Sequence, residues 1–518
     1  MKAENTSNVE NKPSIENTSN VEYKSNVENN VSAENESSVE NKASAENKPS
    51  VENTSNVEYK SSVENKASAE YKSSAENEPS AENTWDAETK PVEVIIVGAG
   101  SRSMNYASYA LSHPDQMRVV GVVDPNADRR AHTAERYGLA ADMTFASVEE
   151  LVARPLLADA VINGTLDAQH VSTSLPLLRK GYDLLLEKPI GIAEDEVLEL
   201  YRTAQAYGRK VMVCHVLRYA PFYVELKRAL EAGTIGDILH IQTEENVDYH
   251  HMATAFVRGK FSNMERGGSS FLMQKCCHDL DLITWFQSKV RPVKVSSYGG
   301  RSYFRESRAP QGSGTRCLTD CAIEENCVYS AKKLYVDHPL WPVYVWPRYL
   351  DGVRLGDEEK LESLRTDNPF GRCVWRCDND IADHQAVMME FENGSTAVHN
   401  LVGGAAKACR TVHITGSKGE IYGELEEGFY VVRRPDLREG GVYSEQRVDI
   451  PVSRDMHGGG DHRLVEDFVR VVRGDASARF STSLEQSIVG HLVGFRADAS
   501  MVSGQSLPFD WSDGVTQG

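Results

Sequence analysis

The sequence predicts an α/β protein whose first folded part is a doubly wound parallel sheet. Three observations carry this. Val92-Glu93-Val94-Ile95-Ile96-Val97 is an almost wholly apolar run that breaks into Gly98-Ala99-Gly100, the pattern of a buried strand feeding a tight turn and a helix. A second run, Val119 to Val123, ends in Asp124, about where a carboxylate meets the adenosine ribose of a bound dinucleotide. Strand and helix patterns then alternate as far as His215, as parallel sheets with crossover helices require.

The chain has 518 residues and a formal charge of −20. Residues 1–90 read as a separate, disordered tail. Glutamate recurs every sixth position there, from Glu4 to Glu88, with 18 acidic and 9 basic residues, close to half of the net charge. Each unit has one small apolar residue, too few to offset the entropy of ordering. The tail is either a solvating spacer or a tandem duplication without a role. The acidic balance argues against nucleic acid as a partner. No run approaches the ~18 apolar residues of a membrane span, and Met1-Lys2-Ala3-Glu4 lacks the apolar core of a signal peptide. The chain is therefore expected in the cytoplasm, where its nine cysteines are thiols, ligands or core residues rather than a disulfide framework.

Within the nucleotide-binding part, expected over 91–215, Gly98 permits the turn and Gly100 lets the backbone approach a pyrophosphate. Ser103 stands where a third glycine is usual. A carboxylate at Asp124 repels a 2′-phosphate, so NAD is expected, while Arg129 and Arg130 keep NADP open. Helices are predicted from Met104 to about His113, up to Tyr137, over Ala168–Arg179 with Gly181 as its cap, and over Glu194–Ala206. Strands are predicted at Ala158–Thr165, Tyr182–Leu186 and Lys210–His215. Ligands in such sheets bind at the carboxyl ends of strands, where Thr165, Lys188 and His215 fall.

Gly98-x-Gly100, Asp124, Glu187-Lys188-Pro189 after a strand, and Arg218-Tyr219-x-Pro221 after the next together resemble the Gfo/Idh/MocA oxidoreductases, relatives of glucose–fructose oxidoreductase and inositol dehydrogenase. The resemblance spans about residues 92–505. It implies an N-terminal Rossmann domain followed, over 216–518, by a C-terminal α/β domain whose large open antiparallel sheet carries the substrate pocket and often a homo-oligomer interface. It implies a cofactor site made of Gly98, Gly100, Ser101, Arg102, Ser103, Asp124, Thr165, His170, Glu187, Lys188 and Pro189. The family's Asp-x-x-x-His is represented by Gln274 and His278, expected four residues apart on one helix face. Gln274 orients an imidazole without stabilising its charged form as a carboxylate would.

Oxidising a secondary alcohol needs a base for the hydroxyl proton and a cation beside the developing alkoxide. His278 suits the first and Lys188 the second. His215, Arg218, Tyr219, His250, His251, Lys275 and Asp279 are candidate substrate contacts, or structural residues; Arg218 and Tyr219 either orient a polyol or knit the domains together. The expected substrate is a small sugar, sugar derivative or cyclic polyol. A redox-cycling NAD-dependent glycoside hydrolase and a catalytically silent sugar or nucleotide sensor are the alternatives.

Residues 300–380 exceed what the fold needs and hold Cys317-x3-Cys321-x5-Cys327 and Cys373-x3-Cys377. Cys317, Cys321, Cys327 and Cys373 could hold a structural zinc or an iron–sulfur cluster, or be plain thiols. Farther on, hairpins are predicted around Asn393-Gly394 and over Val412–Gly423. His457-Gly458-Gly459-Gly460-Asp461 forms either a loop over substrate or a helix cap. An amphipathic helix follows over Leu464–Val472, and Thr482-x-x-Glu485 reads as the capping box of a last helix ending near Gly504.

Overall fold

A computed structural model describes residues 90–518 except 347, 348, 350–353, 452, 454, 455, 512–514 and 516–518. The repeat tail of residues 1–89 lies outside the described residues.

The first apolar run forms β1 (Val92–Val97). It lies at the centre of a six-stranded sheet with β2 (Met117–Val123), β3 (Thr144–Phe145), β4 (Ala160–Asn163), β5 (Asp183–Leu186) and β6 (Val211–Val213) in the order β3-β2-β1-β4-β5-β6. All five pairings are parallel, which makes this a Rossmann sheet. The period-2 alternation of each strand divides its side chains between two apolar layers. Ile95, Val97, Val161, Leu184 and Val213 enter one, and Val94, Ile96, Ile162, Leu185 and Met212 enter the other.

The second sheet has nine strands: β7 (Ile238–Asp248), β8 (Pro292–Gly300), β9 (His384–Phe391), β10 (Thr396–Ala405), β11 (Cys409–Gly416), β12 (Gly419–Glu424), β13 (Phe429–Pro435), β14 (Tyr443–Asp449) and β15 (Leu507–Pro508). Their order is β14-β13-β12-β11-β7-β10-β9-β8-β15. Both predicted hairpins are present, β9–β10 and β11–β12. The sheet is mixed rather than purely antiparallel, because β10 enters beside β7 in parallel. Residues 300–380 wrap into the same core through Phe304, Tyr335, Leu364, Phe370 and Trp375.

The closing helices do not respect a boundary at residue 215. Leu464, Val465, Phe468 and Val469 of the Gly460–Arg473 helix complete one apolar layer of the first sheet, and Leu484, Ile488 and Leu492 of the Leu484–Ser503 helix complete the other. The latter helix also contributes Val493 and Ala497 to the core of the second sheet. It lies against the Cys277–Phe286 helix, so closely that a Cβ on Gly490 would stand 2.9 Å from the Asp281 Cα. Its N-cap is Ser483, not Thr482: the Ser483 hydroxyl accepts from the Gln486 N–H at 3.4 Å, while the Thr482 carbonyl accepts from Val213 N–H at 2.8 Å at the sheet edge. Gly504 ends the helix with φ of 68°, the left-handed conformation that favours glycine.

Candidate active site

The glycine turn is built as its residue types require. Gly98 has φ of 78°, and a Cβ there would stand 2.8 Å from the Gly164 carbonyl. Gly100 differs: a Cβ on it would meet nothing within 4 Å, so its face is open to a ligand's close approach. Ser103 is buried, and a Cβ on Gly164 would be 2.2 Å from its hydroxyl. It thus takes the helix–sheet packing place of the third glycine and does not face the opening. The Asp124 carboxylate accepts from the N–H groups of Ala99 and Asn126, both at 2.8 Å, fixing the turn from the end of β2. Arg129 lies 3.9 Å from it. A dinucleotide fits this cradle: it has a glycine with open space where pyrophosphate approaches, and an acid at the next strand end.

Arg102 turns inward. Its Nε donates to Glu187 at 2.9 Å and Nη2 pairs with Asp461, while Nη1 is buried without a partner. Glu187 also accepts from the Lys188 N–H at 2.6 Å, and the Lys188–Pro189 bond is cis. His170 Nδ1 donates to the Pro189 carbonyl at 2.6 Å. Thr165 bonds to Asn163 Oδ1 at 3.1 Å. These bonds fix the Glu-Lys-Pro segment at the carboxyl end of β5.

Lys188 is half-buried and donates to the Gln274 carbonyl at 2.7 Å. Burial lowers its pKa, but the nearby Cys277, Glu187 and Asp167 outweigh this and hold it above the ordinary lysine value. It is therefore a cation at neutral pH. His278 is buried, and neither ring nitrogen has a hydrogen-bond partner among the described residues. Burial first, then the charges of Lys188, His215 and His457, drive its pKa well below the usual imidazole value. A neutral imidazole thus lies within the field of a fixed ammonium.

The predicted helix face for Gln274 and His278 is not formed. Leu272–Cys276 is a π-helical turn and the α-helix begins only at Cys277. The side chain of Gln274 donates to the Ser269 carbonyl at 2.7 Å, and its backbone carbonyl holds Lys188. Among the described residues its carbonyl and side chain thus bond to the lysine and to Ser269, and not to the imidazole.

The other candidates divide. The His215 ring centroid is 5.5 Å from that of His278, with Asp281 3.7 Å behind it. His251 stacks on Trp341 at 4.5 Å between centroids, its pKa lowered to about 2 by burial and the charges of Lys275 and Arg410. Lys275 pairs with Glu245 at 3.0 Å. Arg410 bridges Glu245 at 2.7 Å and Asp279 at 3.1 Å, and burial raises the Asp279 pKa to about 6. Arg218, Tyr219 and His250 are committed to structure. Arg218 makes a buried two-pronged bond to Asp281 at 2.6 and 2.7 Å, Tyr219 donates to Asp467 at 2.7 Å, and His250 donates to the Leu334 carbonyl at 2.8 Å. The knitting role is the one these contacts support.

The sequence offered the His457 loop only as one of two alternatives and left Trp341, Tyr344, Arg410 and Glu245 out of the site. His457, in a left-handed conformation (φ 57°), stands 5.7 Å from His278 between ring centroids and pairs with Asp461 at 3.2 Å. Its glycine loop was the available signal. Trp341 and Tyr344 come from the insertion, and the pKa of the Tyr344 hydroxyl, raised by burial, feels the charge of Lys188. Arg410 and Glu245 carried no signal, because their partners lie far off in the chain. Cys317, Cys321, Cys327 and Cys373 line one cavity away from this site.

A Rossmann sheet with a dinucleotide cradle and Lys188 just after β5, joined to a mixed sheet whose packed helix Cys277–Phe286 carries His278, has the architecture of a two-domain nicotinamide-dependent oxidoreductase. Residues 92–215 match the family described as oxidoreductase family, NAD-binding Rossmann fold, and residues 223–314 match the GFO/IDH/MocA C-terminal domain. The chain belongs to the Gfo/Idh/MocA oxidoreductases and is an NAD-binding member of them. It is 26% identical to the Bacillus subtilis oxidoreductase YteT over 60% of this chain and 71% of that protein. It is 29% identical to trans-1,2-dihydrobenzene-1,2-diol dehydrogenase of Mus musculus over 39% of this chain and 59% of the relative. Thus the match spans about three-fifths of the mouse enzyme's length. The WlbA dehydrogenase from Chromobacterium violaceum, solved with NADH and UDP-GlcNAcA, shares the fold with a TM-score of 0.55 at 15% identity, over 82% of this chain and 97% of that one. No helix among the described residues is long and apolar enough to cross a membrane.

Proposed function

We propose that the chain oxidises a secondary alcohol of a sugar, sugar derivative or cyclic polyol, with NAD rather than NADP. The observation that carries this reading is the half-buried Lys188, held charged, in whose field the buried His278 is held neutral with both nitrogens unpartnered among the described residues. A buried histidine without hydrogen bonds is costly unless a ligand completes it. NAD, when bound, supplies the hydride acceptor. His278 takes the hydroxyl proton. Its low proton affinity makes it a weak base, but the Lys188 charge responsible for part of that also stabilises the alkoxide, so the transfer stays matched. Lys275, Arg410, Asp279 and His251 surround the pair with donors and acceptors suited to hydroxyl groups. The mouse relative's cyclic diol and the UDP-GlcNAcA of WlbA support this substrate class. Asp124, unable to share its place with a 2′-phosphate, supports NAD. We place the chain in the cytoplasm as a homo-oligomer; Leu239, Tyr298, Met388 and Val402 of the second sheet are exposed and suit a partner surface. Light scattering tests the oligomer.

The deciding experiment follows reduced nicotinamide on mixing the protein with NAD and a panel of sugars, polyols and glycosides. Net NADH with one class establishes the dehydrogenase, and His278→Ala should then lose about 10²–10⁴-fold in kcat while binding NAD normally. Release of aglycone without net NADH would replace the reading with redox-cycling hydrolysis.

A further inference from the structure

The four cysteines of the insertion converge from two segments about fifty residues apart. The Cys317 N–H donates to the Gly371 carbonyl at 3.0 Å and the Cys373 N–H to the Thr315 carbonyl at 2.9 Å, so the segments run side by side. Between them, Cys317, Cys321, Cys327 and Cys373 line one small, partly open cavity. Cys377, in the same sequence cluster, does not line it. Asp320 folds the Cys317–Cys321 loop by accepting from the N–H groups of Thr315 and Arg316 at 2.9 Å. The buried guanidinium of Arg258 donates to the Cys317 sulfur at 3.4 Å and to the Tyr329 carbonyl at 2.8 Å.

A single zinc ion would hold four sulfurs about 3.8 Å apart, given Zn–S bonds of about 2.3 Å in a tetrahedron. The sulfurs are not gathered so tightly. Among the described residues, the trio of metal-type ligand atoms lying within 4.8 Å of one another is Cys276, Asp279 and His399, which belongs to the substrate side. Iron–sulfur clusters set their four thiolates wider, with the inorganic core between them. We propose that Cys317, Cys321, Cys327 and Cys373 ligate an iron–sulfur cluster, which staples the two ends of the segment carrying Trp341 and Tyr344. The staple acts on structure, and the hydride chemistry passes no electron through it.

The test uses the full chain purified without oxygen. A brown protein with iron and acid-labile sulfide in equal amounts, bleached by dithionite, is the expected result. Protein isolated without iron is incubated anaerobically with ferric iron, sulfide and a thiol that reduces part of the iron, and should then take up the same chromophore. Cys321→Ala, at a half-exposed position, should lose most of the iron, and Cys409→Ala, outside the cavity, should keep it. If Cys321→Ala does not fold, Cys327→Ala is read instead. Zinc without sulfide, a disulfide among these residues, four reactive thiols that refuse reconstitution, or full iron retention in the Cys321 and Cys327 variants would each overturn the proposal. NAD binding by the same preparation reports separately on the oxidoreductase reading.

Discussion

Lys188 differs from a surface lysine because its charge is fixed by neighbours and its acceptor is a backbone carbonyl. Lys188→Met should therefore lower kcat by about 10² or more and also raise the His278 pKa by removing one of its causes, so that the low-pH limb of the kcat profile moves up. An unmoved limb in this variant would separate the two groups. A second residue-scale consequence concerns acid. His215, His278, His399 and His491 are buried and His251 is half-buried, and all five have lowered pKa values, burial being the first cause in each. Unfolded, each binds a proton near pH 6.5; folded, it does not until much lower pH. Stability is thus full above about pH 6.5 and falls as pH drops through that value, by about 1.4 kcal/mol per pH unit for each imidazole. Asp279 and Asp281, raised to about 6 by burial, act the other way between about pH 6 and 4 because the folded state keeps their protons. The net slope near pH 5 is up to about 4 kcal/mol per pH unit. Urea midpoints at pH 7, 6 and 5 measure it, and a flat series would show that these imidazoles are hydrated.

At the scale of the element, the turn after β1 separates two glycines that look alike in sequence. Gly98→Ala meets both a left-handed backbone and the Gly164 carbonyl, so it should destabilise the fold by at least about 1–2 kcal/mol as well as abolish NAD binding. Gly100→Ala meets open space and should leave the melting temperature unchanged while weakening NAD, as a fluorescence titration would record. This element was legible because strand, glycines and Asp124 are neighbours whose patterns are local. The π-helical turn at Leu272–Cys276 was not legible. The residues fit an α-helix equally well, and only the bond from Lys188, 86 positions earlier, shows where the Gln274 carbonyl is used. The cap at Ser483 was missed by one residue because Thr482 is occupied at the edge of β6, a tertiary contact that overrides a local motif.

At the scale of the whole molecule, buried ion pairs tie distant segments. Arg218 and Asp281 are 63 positions apart and almost wholly inaccessible. Arg218→Met would leave a buried carboxylate unpaired and should cost about 3–5 kcal/mol, read as a lowered midpoint with NAD affinity measured on the folded fraction. Since one helix, Leu484–Ser503, contributes to the cores of both sheets, calorimetry should record a single cooperative transition; two separated transitions would mean independent domains. The alternation of strands and helices made the first sheet readable, and hairpin turns such as Asn393-Gly394 gave parts of the second. Its order, with β10 parallel to β7, and the Arg410–Glu245–Asp279 network depend on contacts across more than a hundred positions, which no local pattern encodes.

The placement of the Leu484–Ser503 helix also bears on how the protein is made. The strands of the first sheet leave the ribosome early, but two of the helices that cover its faces are translated after most of the chain. Until then, Leu184, Val213 and their neighbours remain partly uncovered during elongation, a state prone to aggregation. The nucleotide-binding half therefore does not complete its fold when its own strands emerge, but only after the Gly460–Arg473 and Leu484–Ser503 helices are available to cover it.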